Sequence, residues 1–96
     1  MRSLLEREKF AGPNFSDWYG HLKIVLKAER KLYVLETAIP SQPAANAARA
    51  VREAYEKHVN DSIDVACLML ASMTPPLQRQ HEDMSAIEII ADISSC

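Results

Sequence analysis

The strongest constraint on this chain is a run of positions that keeps step with an α-helix for more than twenty residues. Val51, Tyr55, His58, Ser62, Val65, Met69 and Met73 follow one another at intervals of three or four. Arg49, Arg52, Glu53, Glu56, Lys57, Asn60 and Asp64 fall mostly on the other side. Only a period near 3.6 residues gathers such positions onto one face, so the middle of the chain predicts one long helix, or two with a break near Asn60. From Val65 to Ala71 the segment is apolar all round, which predicts packing on several sides and makes this stretch the centre of the core.

The rest of the composition agrees with helices. There are two glycines in 96 residues, too few for the many tight turns of an all-β fold or for a glycine loop that cradles phosphate. The chain is 48% hydrophobic and 25% charged, the make-up of one ordinary domain over residues 1–96. A chain this short buries only about 60 to 65% of the surface its unfolded form exposes. A partner chain would add to its stability.

Residues 1–9 read as a charged, flexible lead-in. Gly12-Pro13 marks a turn, and Asn14 or Ser16 can cap the helix that follows. Over about residues 16–30, Trp18, Leu22, Val25 and Leu26 share one face, while Lys23, Lys27, Arg30 and Lys31 share the opposite one. Ile24 and Ala28 lie together on a flank. Residues 31–39 read as a short helical turn or extended connector, closed by the linker Pro40-Ser41-Gln42-Pro43. Thr74-Pro75-Pro76 stops one helix and starts another, and Ser85-Ala86-Ile87-Glu88 matches a capping box that opens a last one. The expected fold is therefore all-α, a compact bundle of four to five helices around a long central one. Phe10, Phe15, Trp18, Leu22, Leu26, Tyr55, Val65 and Met69 are its expected core anchors.

Little in the chain carries chemistry. His21, His58 and His81 have no His or Cys partner at ligand spacing, Asp61 three residues after His58 is a single pair, and the two cysteines form no C-x-x-C. No metal, cofactor or catalytic residue is expected. Cys67 sits among Val65, Ala66, Leu68 and Met69, a setting that predicts inert packing in a dry core. Nucleophile-elbow, H-E-x-x-H and Walker patterns are missing from the sequence. Cysteine usage and the short apolar runs point to the reducing interior of a cell, in the cytoplasm, with no membrane span.

Charge is unevenly placed. Residues 1–31 carry seven Lys/Arg against four Asp/Glu, and residues 32–96 carry four against nine. A basic end and an acidic end favour association between copies, although salt screens the attraction beyond about 8 Å. The stripe of Lys23, Lys27, Arg30 and Lys31 could touch phosphates. Solvated faces of this kind are commoner, no aromatic interleaves it, and the acidic remainder opposes a nucleic acid.

Phe10-x-Gly12-x-Asn14-Phe15-x-x-Trp18, followed by Leu22, Leu26 and Leu35, resembles the N-terminal signature of the Gag polyprotein of copia-type long-terminal-repeat retrotransposons, in particular those of plants. The likeness continues through Tyr55, where many members have tryptophan, through Ala66, Leu68, Leu70, Ser72 and Met73, and through Met84-Ser85-Ala86-x-Glu88-x-Ile90. It spans residues 9–93. It implies a capsid-like helical region whose work is self-association into a shell around element RNA, with no reaction catalysed. Ile90 stands where many relatives have tryptophan, and the chain lacks the zinc knuckle Cys-x-x-Cys-x-His-x-Cys that would grip RNA. RNA packaging by this chain is not expected.

Resemblance and residue pattern together predict contact between copies through the flank of the first helix, Ile24 and Ala28, and through the last helix, Ile89 and Ile93. The alternative is a domesticated binding module that takes a host protein on its N-terminal aromatic segment or terminal isoleucine face. A weaker alternative is nucleic-acid binding through the basic stripe.

Overall fold

The computed structural model of the chain describes Leu5, residues 9–37 and residues 40–94. Among these residues the secondary structure is five helices: α1 (Phe15–Ala28), α2 (Tyr33–Glu36), α3 (Arg49–Ala71), α4 (Pro75–His81) and α5 (Ala86–Ser94). The fold is an all-α bundle. Of the expected lead-in, residues 1–4 and 6–8 lie outside the described residues; Leu5 is buried in the core, and Lys9 Nζ donates to the Ala71 carbonyl at 2.9 Å.

The long periodic segment is a single helix, with no interruption at Asn60. Asparagine lowers helix propensity only slightly, and propagation is cooperative once the flanking turns are formed. Only the C-terminal half of α3 is sunk in the bundle. Val65 and Met69 are fully buried and Ser62 and His58 nearly so, whereas residues 49–54 are exposed on every side. The molecule is accordingly elongated, 47 × 25 × 19 Å.

α1 buries Trp18, Leu22, Val25 and Leu26, the stripe that its periodicity marks. It stops in a Schellman turn: Lys31 N–H donates to the Leu26 carbonyl at 2.8 Å and Arg30 N–H to Lys27 at 3.2 Å. That turn requires a left-handed residue, usually glycine, and here Arg30 occupies it at φ 62°. Asn14 stands at the N-cap but makes no side-chain cap. Its amide instead braces the preceding turn, accepting from Ala11 N–H and donating to the Lys9 carbonyl, both at 2.9 Å. Gly12 in this turn has φ +109°, a conformation that a Cβ disfavours.

The aromatic segment is fastened to the far end of α3. Phe10 N–H donates to the Ser72 carbonyl at 2.8 Å and the Phe10 carbonyl accepts from Thr74 N–H at 3.1 Å, forming an isolated bridge beside Met73. Phe10 stacks on Trp18 with ring centroids 4.6 Å apart. The core joins these rings to Leu5, Leu22, Val25, Leu26, Val34, Val65, Met69, Met73, Ala86 and Ile89.

α5 packs against both α2 and α3, and α4 against α3. The Ser85 capping box is present: Ser85 N–H donates to Glu88 Oε1 at 2.9 Å, and Glu88 N–H reaches Ser85 Oγ at 3.4 Å. Buried His81 ties α4 to α5, with Nδ1 2.8 Å from the Leu77 carbonyl and Nε2 2.8 Å from Asp92 Oδ2. A polar seam ties α3 to α2 and to the turn before it. Lys31 Nζ bonds Asp64 Oδ2 at 2.6 Å, Lys57 Nζ bonds Asp61 Oδ2 at 2.6 Å, and the Tyr33 hydroxyl donates to the same Asp61 oxygen.

Tyr55 is no core anchor: it lies half-buried beside the linker in a shallow hollow with Gln42, Pro43 and Arg52. The half of α3 that bears it extends past the bundle. Phe15 is half-buried and packs on the edge of the core. Val65–Ala71 is not enclosed on all sides, and Cys67, expected in a dry core, is exposed. An all-apolar helix segment does not specify which side its neighbours will cover, and here they leave the Cys67 side open.

Candidate interaction surfaces

Three large hydrophobic side chains stand well out of the described surface: Ile24 at 49%, Val51 at 53% and Ile63 at 58% exposure. Ile24 and Ile63 each belong to a separate apolar surface, and Val51 stands on the projecting half of α3.

The first is the outer face of α1. Gly20, Ile24 and Ala28 follow at four-residue steps, and Lys23 and Lys27 run together along one side of Ile24. Ile24, Ala28 and both lysines are exposed. Lys23 Nζ lies 4.7 Å from the Tyr19 ring centroid. The expected basic stripe does not continue beyond them as a free face. Lys31 is held by Asp64, its ammonium pushed above the usual lysine value chiefly by that hydrogen bond. Arg30, in its left-handed turn, has left the helix altogether. The sequence pattern projected both onto an α-helix that ends before reaching them.

The second lies on α3. Val59, Ile63, Ala66 and Leu70 form the floor of an open groove of about 400 Å³, and Glu82, Asp83 and Glu88 stand along its other side. These three carboxylates are exposed. The Glu88 carboxyl is held below its ordinary value by the backbone and hydroxyl of Ser85, so it is an anion across the neutral range. The floor stripe has clear helical spacing in the sequence, but from Val65 onward it is masked there by the apolar residues around it.

The third brings together two segments some eighty residues apart. Phe10 and Phe15 from the aromatic turn, and Ile93 from α5, line a groove of about 350 Å³ with Leu77 and His81. Ile93 is half-buried in this groove. Ile89, expected at an interface between copies, is fully buried in the core instead. α5 settles across α2 and α3 and takes Ile89 and Ala86 inward, because burying apolar area within the chain costs no loss of translational freedom.

No set of three or more His, Cys, Asp or Glu among the described residues is placed to hold a metal ion. No described helix is long and apolar enough to cross a membrane. Comparison with protein-family models, with curated proteins and with solved structures finds no match for this chain.

Proposed function

We propose that this chain is a structural, non-enzymatic Gag-type domain of a copia-type retrotransposon that works by associating with itself in cytoplasmic, capsid-like particles. The observation that carries the reading is the pair of apolar surfaces on α1 and α3 that no part of the described chain covers, each bordered by charge of opposite sign. Exposed apolar patches of this kind on a small domain mark places of association.

The resemblance in sequence supports the same reading. Its residue types have local physical roles: Gly12 permits the turn, Asn14 braces it, and Phe10 and Trp18 stack. A segment spent on locking a helical scaffold suits a protein whose task is to present surfaces.

Light scattering and sedimentation across a concentration series test the proposal, with growth in mean mass as protein concentration rises as the expected result. A strict monomer at the highest attainable concentration overturns it.

A second reading rests on the groove between Phe10, Phe15 and Ile93. It unites the aromatic segment and the terminal isoleucine face, so a host protein offering one apolar anchor would meet both. Mutation there that abolishes capture of a purified partner while leaving mass growth intact would favour this reading. Nucleic-acid binding is the least supported, since Lys31 is already engaged by Asp64. A low-salt titration with single-stranded RNA tests it directly.

A further inference from the structure

We propose that the outer face of α1 in one copy docks into the α3 groove of a second copy, Ile24 seating against Ile63 while the row of lysines beside it faces the carboxylates of the groove. This rests on the self-association reading and names its surfaces.

Complementarity of charge around two exposed apolar surfaces carries the proposal. Lys23 and Lys27 run together along one side of Ile24, and Glu82, Asp83 and Glu88 stand along one side of the apolar groove floor. No residue of α1 lines that groove, so the two surfaces are separate places on one molecule. A charged border beside an apolar centre sets register and suppresses wrong pairings. Like borders would repel, so α1 faces do not pair with each other, nor grooves with grooves.

Gly20 supplies an independent observation. Glycine within a helix is less favourable than alanine, yet a methyl group at Gly20 would meet no atom within 4 Å. Packing inside the molecule therefore gives no reason for its smallness. A second helix laid along Gly20, Ile24 and Ala28 does, because the distance between packed helices is set by the side chains at their contact.

Charge reversal in two separate proteins gives the test. One carries Lys23→Glu and Lys27→Glu, the other Glu82→Lys and Asp83→Lys; all four side chains are exposed. Circular dichroism confirms that each remains helical. Each variant alone should need roughly tenfold more protein than the wild type to reach the same mean mass. Mixed in equal amounts they should return to wild-type association, because every acidic face now meets a basic groove and every basic face an acidic one. Ile63→Asp carried by every copy should abolish association, because no groove then accepts Ile24.

Variants that associate as the wild type does, or a mixture no better than its parts, overturn this docking while leaving self-association standing. A wild-type protein that never leaves the monomer overturns both.

Discussion

The indole nitrogen of Trp18 donates to the hydroxyl of Ser72 at 3.0 Å inside the core, and that hydroxyl donates in turn to the Met69 carbonyl at 2.8 Å. One buried serine thus joins the first helix to the end of the longest one, across 54 residues of chain. Ser72→Ala leaves the indole N–H without an acceptor and should cost about 1–3 kcal/mol. Trp18→Ala, which also removes the ring stacked on Phe10, should cost about 3–5 kcal/mol. Urea unfolding followed by circular dichroism measures both, and equal losses would contradict this account.

Arg30 holds a left-handed backbone that L-residues adopt at a cost of roughly 1–2 kcal/mol. Its N–H bond to Lys27 is a backbone contact that any residue but proline can make. Arg30→Gly should therefore stabilise the fold by about 1 kcal/mol, raising the thermal midpoint. No gain would mean that the turn is not strained.

Gly20→Ala should likewise raise stability, by about 0.5–1 kcal/mol, since the added methyl meets open space within the molecule and improves helix propensity. Thermal unfolding at a dilution where the protein is monomeric reads this without interference from association.

Asp61 makes the polar seam sensitive to acid. Its burial acts to raise the carboxyl pKa, but hydrogen bonds from Lys57 and Tyr33 and the nearby charges of Lys57 and Lys31 outweigh it and leave the pKa below the usual aspartate value. A depressed carboxyl adds stability that is complete above its unfolded pKa and is lost as pH falls through the folded one. The stability difference between wild type and Asp61→Asn should shrink as pH is lowered from about 6 to about 3. Lys31, raised chiefly by its bond to Asp64, acts at the other end. Its contribution is intact below the unfolded lysine pKa and lost as pH rises through the folded value. A difference that stays constant with acid would remove Asp61 from this role.

His81 is 2% exposed, with acceptors at both ring nitrogens. His81→Ala opens a cavity and breaks the link between α4 and α5, for an expected loss of about 2–3 kcal/mol. Asp92 is partly exposed, so Asp92→Asn should lose less, about 1 kcal/mol or under. Hydrogen exchange of α5 amides checks that the loss is centred on that helix.

The helices were legible in the chain because helix formation is a local matter. Spacing placed Trp18, Leu22, Val25 and Leu26 on one buried stripe, prolines and the Ser85–Glu88 box marked where elements begin, and the recurrence from Val51 to Met73 announced the long one. Periodicity of a two-sided helix also carries its orientation, since only one side is fit for burial.

Tertiary structure alone decided the rest. Where a segment is apolar all round, as at residues 65–71, sequence has no phase to offer, and the helices that pack on α3 determine that Val65 and Met69 are covered while Cys67 is not. The same holds for Ile89, drawn into the core, and for Tyr55, left beside the linker where α3 outruns its neighbours. Lys31 left the basic stripe because Asp64, 33 residues away, comes within 2.6 Å of it. Each of these outcomes depends on which distant surface arrives, and arrival is settled by packing the whole chain at once.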